Sequence, residues 1–121
     1  MLIVTTSLAL FTSSVLAEDA KPAAKAVDVK AAKELLAKTD CNACHNARQT
    51  GVGPSYKAMA KKIGNDEAKI TKAIVGVTKG FSGASTYEGA MTPQAMMPAH
   101  PALKAEEIEN LVRYMVQAGA K

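Results

Sequence analysis

Cys41-Asn42-Ala43-Cys44-His45 is the stretch that decides the reading of this chain. At Cys-x-x-Cys-His spacing, two thiols can form thioether bonds to the vinyl groups of a porphyrin while the imidazole reaches its iron. One turn of backbone carries both sulfurs to neighbouring edges of the ring and leaves His45 pointing at the metal. Cys-x-x-Cys alone also suits a redox dithiol or half of a zinc site. A four-ligand zinc site needs two more ligands, but the chain has no further cysteine and one other histidine, His100. A redox dithiol of the thioredoxin kind sits in a βαβ pattern, and none surrounds the motif. The motif therefore reads as an attachment site for one haem c, with His45 as the proximal ligand.

Residues 1–17, MLIVTTSLALFTSSVLA, are apolar with uncharged side chains and close on Val15-Leu16-Ala17. That pattern reads as an export signal. The run is short and rich in Ser and Thr for a membrane anchor. No Lys or Arg precedes it, so an uncleaved anchor is the other reading. Export places the protein in the periplasm, which agrees with haem attachment outside the cytoplasm. Residues 18–27, EDAKPAAKAV, lack a spaced apolar face and read as a flexible leader. Residues 28–121 form a single domain by length. Beyond the signal, its aromatic residues are Tyr56, Phe81, Tyr87 and Tyr114. A chain this short struggles to bury enough apolar surface unaided, and a flat macrocycle would supply bulk.

Four helices follow from local signals. Asp28 N-caps a first helix to about Thr39, with Val29, Ala32, Leu35 and Leu36 on one face. Gly53-Pro54-Ser55 opens a second, to about Ile63, stopped by Gly64. Asp66 caps a third from about Glu67 to Thr78, with Ile70, Ala73, Ile74 and Val77 at helical spacing and an end near Gly80. The last runs from about Lys104 to Ala118, with Ile108, Leu111, Val112 and Met115 inward and Gly119 as the stop. Nothing alternates with period two over a useful length, so no sheet is expected. The turn-rich segment between the last two helices is long enough to imply a function. It holds Met91, Met96, Met97 and His100, any of which can offer a donor to the second face of a haem iron.

The stretch from His45 to Lys57, with its Val52-Gly53-Pro54, resembles the haem-to-second-helix segment of the small bacterial class I cytochromes c. So does Met97-Pro98 ahead of a C-terminal helix carrying Tyr114. The likeness runs from about Lys30 to Ala118. It implies an all-α fold, the class I cytochrome c fold, with four to five helices wrapped around one covalently bound haem. The first and last helices would cross, bringing Leu35 and Leu36 to Leu111 and Tyr114. It further implies that the Pro54 carbonyl orients His45, and that Met97 is the distal ligand with Met96 as second choice. The chain departs from the family in lacking Trp, often found near the propionates. Tyr87 and Ser85 are candidates for that place, while Arg48 and Lys72 read as surface charge.

Iron held by His and Met has no open position, which suits one-electron transfer over oxygen chemistry. No catalytic constellation accompanies the motif, so the chain reads as a monomeric electron carrier of a respiratory chain and not an enzyme, with no small-molecule substrate. A haem subunit of a larger oxidoreductase is the alternative, and a gas sensor a third. In open-iron families with this motif, however, it usually lies near the C-terminus, and here it follows the first helix. The net charge is +4. Lys57, Lys61, Lys62, Lys69, Lys72 and Lys79 fall mid-chain, which suits docking to an acidic redox partner better than to nucleic acid.

Overall fold

The computed structural model describes residues 25–84 and 94–121. The signal, most of the leader, Ser85, Tyr87 and Met91 lie outside the described residues.

Among the described residues, five helices order the chain. They are α1 (Val29–Lys38), α2 (Cys41–Cys44), α3 (Tyr56–Lys62), α4 (Glu67–Lys79) and α5 (Ala105–Gly119). Three start where a short polar side chain accepts from an otherwise unpaired backbone N–H. Asp28 caps Ala31, Ser55 caps Ala58 and Asp66 caps Lys69. Lys104 offers no such oxygen at the head of α5. There the Glu107 carboxylate reaches back to the Lys104 N–H at 2.9 Å. Gly80, with φ of 78°, ends α4 in a conformation that costs a side chain.

α5 is the spine. It packs on α3 most extensively, then on α4 and α1. Ile108, Leu111, Val112, Met115 and Val116 form its buried stripe. They meet Ala32 and Leu36 of α1, Tyr56 and Met59 of α3, Ile63, and Ile70 of α4. Leu35 and Tyr114 sit partly buried against this cluster, so the expected meeting of the first and last helices is present. Val29 does not join it; at 45% exposure it faces outward from the first turn of α1.

Two expectations are corrected. A short sheet exists: β1 (Phe81–Ala84) pairs antiparallel with β2 (Gln94–Met97), with Phe81 opposite Met97. Four-residue strands of small and flexible residues carry too little alternation to be read locally, and pairing between two segments separated in sequence creates them. Gly119 is also no helix stop. It is the last helical residue, its φ is not positive, and Ala120 follows in right-handed conformation. A Cβ there would fall inside the Tyr56 carbonyl and 2.6 Å from the Lys57 nitrogen. Glycine is required because α5 touches the start of α3 backbone to backbone.

Candidate haem site

The attachment motif forms its own turn of helix, α2. The His45 N–H closes it on the Cys41 carbonyl at 2.9 Å. Both cysteines are half-buried and not joined in a disulfide, and His45 is half-buried beside them. The following loop folds on itself. The Asn46 carboxamide oxygen accepts from the Arg48 and Gln49 N–H groups at 2.9 and 2.7 Å. The Gly53 N–H returns to the Cys44 carbonyl at 3.0 Å, and the Tyr56 N–H to the Asn46 carbonyl at 2.9 Å.

This closure brings the Pro54 carbonyl 2.8 Å from His45 Nδ1. A carbonyl only accepts, so Nδ1 carries the proton and Nε2 keeps the lone pair that can bind a metal. Gly53 packs close against the same ring. A Cβ there would stand 2.7 Å from His45 Cε1 and 2.9 Å from Nδ1. The sequence marked Gly53 as a helix opener and as part of the Val52-Gly53-Pro54 resemblance; its closeness to the His45 ring has no local signal.

A second clamp holds the turn from α3. The Tyr56 hydroxyl donates to Asn42 Oδ1 at 2.6 Å. Burial pushes the Tyr56 phenol above its ordinary value, with Tyr114 adding to the effect, so it stays a neutral donor. Thr39 Oγ1 lies 2.9 Å from the Leu35 carbonyl and 3.1 Å from Cys41 Sγ.

The methionines divide by burial. Met96 is 72% exposed, whereas its neighbour Met97 is half-buried. Successive strand residues face opposite sides, which accounts for the split. His100 follows closely. Its backbone N–H binds the Val77 carbonyl at 3.0 Å, and its Nε2 lies 3.2 Å from Asp40 Oδ1. That contact holds the Asp40 carboxyl below its ordinary value. Arg48 is exposed, as a surface charge should be.

Another cluster, unread in the sequence, ties the helices together. The Arg113 side chain is 8% exposed and donates twice to Glu67, at 3.0 and 2.7 Å, and to Glu109 at 2.9 Å. Lys25, at the end of the leader segment, binds Glu109 at 2.9 Å. The bonds to Glu67 hold the Arg113 guanidinium protonated; Arg113 in turn holds the Glu67 carboxyl below its ordinary value, while Lys25 first, and Arg113 second, lower that of Glu109.

The residues fit a haem. Two thiols share one helical turn, an imidazole has its outer nitrogen fixed, and a glycine leaves room for that ring. Leu35, Cys41, Ile74, Val77 and Tyr114 remain only partly buried against the core. A mostly helical fold with this site defines a protein that holds its haem covalently.

The family model for cytochrome c matches residues 29–119. Cytochrome c2 of Rhodocyclus tenuis is 35% identical over 86 residues, covering 69% of this chain and 89% of that protein. The crystal structure of the class 1 cytochrome MtoD from Sideroxydans lithotrophicus ES-1 superposes with a TM-score of 0.62 at 30% identity. That match covers 77% of this chain and 98% of the other. The chain belongs to the cytochrome c family, as a small class I monohaem member with one covalently bound haem c on the Cys41–Cys44–His45 motif. Such proteins carry electrons.

Proposed function

We propose that this cytochrome is a periplasmic one-electron shuttle whose haem iron is held by His45 Nε2 and Met97 Sδ. When bound, the haem supplies a ferric–ferrous couple that takes up and releases a single electron. Cys41 and Cys44 tether it, so the carrier keeps its cofactor at any dilution. Pro54 holds the His45 tautomer through its carbonyl. A Met97 thioether leaves no open position for oxygen or substrate, and a neutral sulfur favours the ferrous state.

The observation that carries the methionine assignment is the contrast between half-buried Met97 and exposed Met96. His100 is a poorer candidate because its Nε2 is engaged by Asp40. Residues 1–17 act as an export signal that is removed, and residues 18–27 as a leader to the domain. Among the described residues no helix is long and apolar enough to cross a membrane. The lysines of α3 and α4 orient a partner with an acidic surface, and the carrier works as a monomer.

Met97→Ala tests the ligation. It should abolish the iron–sulfur charge-transfer band, lower the potential and open ferrous iron to carbon monoxide. Met96→Ala should leave all three nearly intact. If the Met96 variant shows the large effect, the assignment is one residue out of register. If Met97→Ala changes none of the three, the distal ligand lies elsewhere.

A further inference from the structure

His100 stands between two parts of the site that are far apart in sequence. It lies three residues beyond Met97, on the loop that returns from the hairpin to α5. Its backbone is pinned to the end of α4 through the Val77 carbonyl. Its ring reaches the residue that precedes the attachment turn. Nε2 is 3.2 Å from Asp40 Oδ1, and a carboxylate only accepts, so Nε2 carries the proton and donates. The His100 side chain is 19% exposed and the Asp40 side chain 69%, so the bond closes an edge of the structure and leaves the carboxylate wetted.

Asp40 is placed as the N-cap of α2, where an aspartate ordinarily bonds a backbone N–H of its own helix. It makes no such bond. Its carboxylate is turned to His100 instead. Close packing reinforces the loop's position: a Cβ on Gly80 would stand 2.9 Å from both the Met97 carbonyl and the Ala99 nitrogen. The loop is thus wedged against the end of α4 and fastened to the attachment turn by one side-chain pair.

We infer that His100 and Asp40 form a clasp that holds the methionine-bearing loop against the attachment turn and sets how readily the distal side of the iron opens. Both are positioning residues. The inference rests on the reading of Met97 as distal ligand, because opening matters only if this loop covers the iron. Breaking the clasp leaves the ligand in place but lets the loop swing away more often.

The test is the rate at which carbon monoxide binds the ferrous holoprotein, measured by stopped flow, with the thermal midpoint taken on the same samples. His100→Ala and Asp40→Ala should each speed binding roughly fivefold, the low end of ordinary couplings between sites, because Asp40 is well exposed. The double variant should be no faster than either single one, since each removes the same bond. His100→Gln and Asp40→Asn keep a donor and an acceptor, and should return the rate toward that of the wild type. General softening would lower the thermal midpoint and leave the rate alone.

Single variants that bind within roughly twofold of the wild type, or a double variant whose effect is the product of the two, overturn the clasp. Met97→Ala belongs in the same series. If it fails to open the iron, the distal assignment falls independently of what His100 and Asp40 do. If His100→Ala opens the iron fully while Asp40→Ala does nothing, His100 is itself a ligand and the clasp is refuted.

Discussion

Gly119→Ala sets two physical effects against each other. Alanine is the better helix former by about 1 kcal/mol, and Gly119 has no positive φ to forbid it. By propensity alone the variant is more stable. The added methyl, however, would fall inside the Tyr56 carbonyl and 2.6 Å from the Lys57 nitrogen. Both obstacles are main chain at the start of α3, so no rotamer change can relieve them. Either α5 retreats from α3, opening the largest helix contact in the fold, or the first turn of α3 is pushed aside. Overpacking against well-placed neighbours costs about 1–3 kcal/mol, and rigid obstacles put this case at the upper end. Subtracting the propensity gain leaves a loss of about 2 kcal/mol. For a domain of this size that lowers the thermal midpoint by roughly 10 °C. Guanidinium unfolding of the oxidised holoprotein, followed by far-ultraviolet circular dichroism, reads the loss as a lower midpoint at unchanged slope. A variant as stable as the wild type, or more so, refutes the reasoning: the helices would have slack where the structure shows none.

Gly53→Ala should tilt the His45 ring, because the new Cβ would stand 2.7 Å from Cε1; we expect a shifted Soret band and a changed potential, and an unaltered spectrum counts against the contact. Arg113→Met should flatten the acid limb of the stability curve. Arg113 holds the folded pKa of Glu67 below the ordinary 4.5, and adds to the lowering of Glu109 that Lys25 leads, so the Arg113-linked contribution is full above that pH and is lost as pH falls through the lowered folded values. The difference in thermal midpoint between wild type and variant should therefore be largest near neutral pH and shrink below 4.5; a constant gap shows that the pair contributes packing alone. Oxidation by the physiological acceptor should slow as salt rises, since exposed charges interact only over about 10 Å at 0.1 M. Charge reversal at Lys57 should slow the reaction at low salt while leaving the potential unchanged, and a rate that is flat in salt indicates apolar docking.

What could be read from the sequence was local. Asp28, Ser55 and Asp66 announce their helices because a cap bonds its own backbone within three residues, and the attachment motif is five residues long. The α5 stripe is equally plain, since its period lies within one element. What escaped reading depends on partners brought together by folding. The strand pair needs two segments separated in sequence to meet, and neither carries an alternating pattern. Gly119 looks like a terminator to a reader of neighbours, yet its reason is a carbonyl on another helix. Arg113 resembles any helix-surface cation until Glu67 arrives from α4. His100 offered itself as a possible ligand because histidine near a haem does so; only the fold shows its ring turned to Asp40.

The partner of His45 Nδ1 is main chain, and this has a consequence for how the site can vary. A carbonyl oxygen does not titrate, and no side-chain exchange at position 54 deletes it. Point substitutions therefore act on this contact only indirectly, through the path of the loop. That path is fixed by the bonds Gly53 to Cys44 and Tyr56 to Asn46, which count residues and ignore most side chains. Changes in length between positions 46 and 53 should thus be tolerated far less than changes in composition. Adding or removing one residue would bring a different carbonyl, or none, over the ring.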